Sequence, residues 1–86
     1  MDAPTVRRQL RSEGYDCTVH ADGVIMASIV KPRGEAWREA LTRRVSAIPG
    51  AIVHARGEWE TADPGRVRTV VRFRLGPEPA GMVGLS

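Results

Sequence analysis

The sequence predicts an α+β fold, a two-layer sandwich in the order helix, strand, strand, helix, strand, strand. Both helices are expected on one face of a four-stranded antiparallel-type sheet. Three observations carry this expectation. First, Arg66-Val-Arg-Thr-Val-Val-Arg-Phe-Arg-Leu75 alternates strictly. As a strand it puts Arg66, Arg68, Val70, Arg72 and Arg74 on one side and Val67, Thr69, Val71, Phe73 and Leu75 on the other. Second, Ala21-Asp-Gly23 and Thr61-Ala-Asp-Pro-Gly65 are turn signals, each set between two extended runs. Third, an amphipathic helical stretch precedes each hairpin.

Residues 4–13 form the first helix. Asp2 caps it, Pro4 suits its first turn and Gly14 stops it. Val6 and Leu10 lie four apart and make one apolar stripe, with Arg7, Arg8 and Arg11 on the solvated side. Strands over 15–20 and 24–30 follow. A three-residue turn between them, with Gly23 at positive φ, directs Tyr15, Cys17, Val19, Ile25, Ala27 and Ile29 to the core. Val24, Met26 and Val30 make the second strand apolar on its other side too, as in a central or covered strand.

The second helix is expected over 35–48. Trp37, Leu41, Val45 and Ile48 recur at helical spacing, which assigns Trp37 to the core. Glu35 and Glu39 stand early in it and Arg43 and Arg44 late, as the helix dipole favours. Pro49-Gly50 ends it. Strands over 51–60 and 66–75 close the domain. A simple hairpin register sets Glu60 opposite Arg66, Glu58 opposite Arg68, Arg56 opposite Val70, His54 opposite Arg72 and Ile52 opposite Arg74. It sets Trp59 against Val67, Ala55 against Val71 and Val53 against Phe73, all on the core side. Opposed charges of this kind stabilise a sheet by roughly 0.2–1 kcal/mol per pair. One domain therefore spans 1–75. The run 76–86, rich in proline and glycine, reads as a flexible tail.

The element order resembles a circularly permuted ferredoxin-like arrangement. That arrangement implies the strand order third, fourth, second, first, with the second and fourth strands as parallel neighbours. The second helix would cross between the second and third strands. The resemblance is in element order alone and carries no function.

Composition narrows the function classes. At 86 residues and 42% hydrophobic the chain makes one small globular domain. It has no long apolar run, so no membrane contact is expected. Met1-Asp-Ala-Pro-Thr5 is unlike a secretory signal. The single cysteine, Cys17, forbids an internal disulfide, and a cytoplasmic location is expected. The formal charge is +3 and the isoelectric point about 10.0. Lys31 is the one lysine; arginine-heavy usage fits codon bias in a GC-rich genome, such as an actinobacterium or one of its phages.

No nucleophile-base motif, phosphate loop or metal-ligand spacing is present, so neither an enzyme nor a cofactor is expected. His20 and His54 fall on opposite edge strands, roughly 14 Å apart, too far for one ion. The leading expectation is a protein-binding or self-assembling domain using the open sheet face. A phage accessory protein, a host-interaction protein or a homodimer would fit. Met26, His54, Arg56, Arg68, Arg72 and Arg74 are the candidate contact residues. The alternative is weakly selective nucleic-acid binding by the same arginines. Four duplex phosphate contacts would give a log–log salt slope of about −3.6. Against it stands the expected inward placement of Trp59 and Phe73, which would leave no aromatic for base stacking.

Overall fold

The computed structural model describes residues 2–34 and 36–76. Of the expected tail, 76–86, Gly76 is described and its N–H donates to the Gly50 carbonyl at 2.7 Å; the rest lies outside the described residues. The elements are α1 (Ala3–Ser12), β1 (Asp16–Val19), β2 (Ile25–Pro32), α2 (Trp37–Ser46), β3 (Ala51–Glu60) and β4 (Arg66–Leu75). This is the expected αββαββ order.

The first helix starts as its sequence dictates. The Thr5 N–H donates to Asp2 Oδ1 at 3.0 Å, which satisfies one of the free donors of the first turn. Val6 and Leu10 are the buried residues of α1. The β1–β2 hairpin takes the three-residue form. The His20 N–H donates to the Val24 carbonyl at 2.9 Å, and Gly23 closes the turn at φ +89°. Cys17 then pairs with Ala27 and Val19 with Ile25. Cys17, Ile25 and Ala27 are buried in the core, with Tyr15, Val19 and Ile29 packed against it.

In α2, Leu41 and Val45 are buried, and Ile48 is buried just beyond its end. Trp37 departs from its expected place. It stands at the first position of the helix, half-buried, with the Lys31 ammonium 4.5 Å from its ring centroid. Trp37 thus packs against Lys31 of β2, outside the aliphatic cluster that its helical spacing predicted for it.

The sheet order is β1-β2-β4-β3, as expected. The pairing of the central strands corrects the expectation: β2 and β4 are antiparallel, not parallel. A helix laid along the sheet returns the chain to the end it left, so β3 repeats the direction of β2. The hairpin then reverses β4, which lies between them. One apolar cluster joins Val6 and Leu10 of α1, Leu41 and Val45 of α2, and Ile25, Val71 and Phe73 of the sheet. Both helices thus lie on one side of an open sheet.

Length sets what the helices leave bare. Ten helical residues span about 15 Å, whereas ten extended residues span about 33 Å. On the helix side, the half of β3 nearest the turn is therefore left bare, whereas Val67 and Thr69 of β4 beside it are buried. Arg56, Glu58 and Glu60, on the helix side there, are exposed.

Candidate functional site

The decisive local feature is a bulge in β3. Ala51, Ile52 and Val53 pair with Leu75, Arg74 and Phe73 as expected, but from Ala55 onward the register moves by one residue. His54 is the extra residue. The two ends of the hairpin impose this. Val53 packs against the core beside its partner Phe73. At the turn, the Arg66 N–H donates to the Asp63 carbonyl at 3.0 Å, and the Thr61 hydroxyl donates to the Arg66 carbonyl at 3.0 Å. Gly65 N–H donates to Asp63 Oδ1 at 2.8 Å. The turn thus consumes Arg66, and the ladder resumes at Glu60 opposite Val67. One residue of β3 has to be extruded between the two anchors.

The shift exchanges the two sides of β3. Trp59 now pairs with Arg68, Gly57 with Val70 and Ala55 with Arg72, all open-face positions. Arg56 pairs instead with Val71 and Glu58 with Thr69, helix-side positions. The expected pairs of Trp59 with Val67, Glu58 with Arg68 and Glu60 with Arg66 are not formed. Phe73 is buried as expected, but Trp59 is 45% exposed.

The open face is consequently an aromatic set among guanidinium groups. Trp59 lines two adjoining concavities. The smaller, about 120 Å³, also has Ala55, Gly57, Val70 and Arg72 in its wall. The larger, about 520 Å³, includes Asp16, Met26, Ser28 and Arg68. Val70 and Ser28 lie on this face, where no helix packs, yet they are only 3% and 4% exposed. Their neighbours on the same face shield them, in the manner of long arginine stems lying over apolar surface.

The arginines of β4 differ in what they have available. Arg68 Nη1 donates to Asp16 Oδ2 at 2.9 Å and to Ser28 Oγ at 3.0 Å. Arg74 Nη1 donates to the Asp22 carbonyl at 2.6 Å, and its Nη2 lies 3.8 Å from Asp22 Oδ2. The Asp22 carboxylate accepts the Val24 N–H; that bond, with Arg74 as a lesser cause, holds its carboxyl below the usual carboxylate value. Among the described residues neither Arg66 nor Arg72 has a salt bridge. Arg72 stands near the middle of the face, between Met26 of β2 and Ala55 of β3. It also lines a third concavity, about 210 Å³, with His20, Asp22 and Val24.

Of the sequence-derived contact residues, Met26, Arg68, Arg72 and Arg74 share the open face. His54 is the bulged residue at the sheet edge. Arg56 takes a helix-side position and reaches the rim of the concavity that Trp59 and Arg72 line. Trp59 is the residue that sequence reasoning misplaced. A mid-strand glycine often marks a bulge, and Gly57 was that signal, three residues from where the bulge falls.

Cys17 is buried, and burial pushes its thiol above its ordinary value. Among the described residues, no three His, Cys, Asp or Glu side chains gather as a metal site, and no helix is long and apolar enough to cross a membrane. Comparison with known protein families, curated proteins and solved structures found no match.

Proposed function

We propose that the domain binds single-stranded nucleic acid on the open face of its sheet, without catalysis. The observation that carries this reading is the position of Trp59. Its ring shares one surface with Arg72, where a base can stack on the indole while that guanidinium meets the adjoining phosphate. The objection drawn from sequence rested on an inward Trp59, and the bulge removes it.

The protein-binding expectation for this same face rested on uncovered apolar side chains of β2. Val24, Met26 and Val30 are half-buried rather than bare. The bare apolar side chains of this face are instead Ile52 and Trp59 of β3, and Trp59 stands beside guanidinium groups. The face is also poor in acids: Asp16 and Asp22 are each engaged by an arginine.

Stacking contributes about 1–3 kcal/mol per base and tolerates any sequence. Affinity is therefore modest and selectivity weak. With Arg68 held by the Asp16 carboxylate and Arg74 by the Asp22 carbonyl, Arg66 and Arg72 remain for phosphates. Two such contacts to a single strand give a log–log salt slope of about −1.4.

The test is a fluorescence titration with single-stranded oligonucleotides, in a Trp37→Phe background so that Trp59 is the one tryptophan, excited selectively over Tyr15. Quenching is expected at low salt, declining with the shallow slope above. Trp59→Ala should abolish measurable retardation of the same oligonucleotide, and Arg72→Ala should weaken binding and flatten the slope. Unchanged fluorescence at low salt would remove this reading.

A further inference from the structure

The second candidate surface is an edge. β3 pairs with β4 on one side, and among the described residues no strand lies against its other side. An open edge of ten residues presents a row of free N–H and C=O groups, which another strand can extend. β3 contains no proline or lysine to block such an approach.

We propose that this edge pairs with the same edge of a second copy of the chain, antiparallel and centred on Gly57, making one continuous sheet with twofold symmetry. Charge and shape within β3 are self-complementary in this pairing. In that register Arg56 of each copy stands opposite Glu58 of the other, twice by symmetry. Residues directly opposed across antiparallel strands share a face, and Arg56 and Glu58 are both helix-side residues. Both are exposed, and among the described residues neither has an ion pair within the chain. On the open face the same register sets the large Trp59 against the small Ala55, again twice. His54 falls opposite Glu60, so the bulge and the strand end bound the paired run symmetrically.

The register is selected as well as allowed. Sliding by two residues one way sets Arg56 against Arg56, and sliding the other way sets Glu58 against Glu58. Like charges directly opposed destabilise a sheet. Gly57 at the centre adds no side chain, and nothing lies within 4 Å of where its Cβ would stand.

Sedimentation of the full chain over a concentration series, without nucleic acid, tests this. The native chain is expected to dimerise. Arg56→Glu and Glu58→Arg should each lose the dimer, because each sets like charges together at both contacts. An equimolar mixture of the two variants should regain it as a heterodimer, since one chain then carries two acids and the other two bases. Circular dichroism checks that both variants keep their fold. A native chain that stays monomeric throughout the series overturns the proposal. So does a dimer that both single reversals leave intact, which would place the contact elsewhere. The readout uses no nucleic acid, so the pairing and the proposed binding on the open face stand or fall separately.

Discussion

Arg74 and Gly23 illustrate how single residues hold the margin of the open face. Arg74 reaches from β4 to the first hairpin and donates to the Asp22 carbonyl, so the turn anchors the guanidinium. Gly23 adopts φ +89°, where an L side chain is strained, and a Cβ there would meet Arg74 Nη1 at 3.4 Å. That contact is ordinary, so the strain lies in the backbone. Gly23→Ala is expected to destabilise the domain by about 1–2 kcal/mol, the usual left-handed penalty. Urea unfolding measures it; a change within error would mean that the turn relaxes to another form. At Trp59 the case is different. Its chemistry matters through where the ladder places it, and that is a property of the strand.

At the scale of the element, the β3–β4 hairpin is fixed at both ends in registers that differ by one residue. The bulge at His54 is the result, and it determines which side chains of Ala55 to Glu60 face the open side. Deleting His54 would join Val53–Phe73 and Ala55–Arg72 into one unbroken ladder, with alternation preserved across the junction. In the Trp37→Phe background, Trp59 is therefore expected to stay on the open face, with the same solvent-exposed emission and the same response to an oligonucleotide as without the deletion. Emission shifted to the blue, as for a buried indole, would show that the turn anchor yields before the core anchor does. The alternating signs of Arg56 and Glu58 belong to this scale too, because they have meaning only once β3 is known to be an edge. Local sequence made the hairpin legible, since Thr61, Asp63, Pro64 and Gly65 are strong turn residues. It did not make the bulge legible, because the turn closes through backbone bonds and a Thr61 hydroxyl bond that composition does not specify.

For the molecule as a whole, one core joins both helices to the sheet, and one ion pair ties the helices to each other. Arg44 Nε and Nη2 donate to the two Glu13 oxygens, each at 2.6 Å, linking the end of α1 to the last turn of α2. The Arg44 hydrogen bond holds the Glu13 carboxyl below its ordinary value of 4.5. The folded value is depressed, so the contribution is fully present above the unfolded value. It is lost as pH falls through the folded one. The domain should therefore lose stability as acid protonates Glu13, by no more than about 1 kcal/mol for a partly exposed pair. Thermal unfolding of Glu13→Gln beside the parent checks this: the two curves should converge as pH falls below the carboxylate range. A gap that persists in acid would point to shape, not charge, at this contact.

The chain by itself determined the element order, the three-residue first turn, the apolar faces of both helices and the sheet order. These follow from short-range rules: side-chain period, caps and turn residues, with handedness limiting the connections. Val6, Leu10, Leu41, Val45 and Phe73 could be assigned to the core because their spacing alone puts them on one side of their elements. The antiparallel sense of β2 and β4 follows from the same rules, because a returning helix and then a hairpin leave no other sense for a strand lying between β2 and β3. Tertiary structure decided two things. It set Trp37 against Lys31 of β2, outside the aliphatic cluster. And it extruded His54, because two distant anchors on one hairpin disagreed by a residue, which turned Trp59 toward the arginines. A one-residue slip reverses every side chain beyond it, so the face that bears the candidate site rests on a single residue that only the closed hairpin could place.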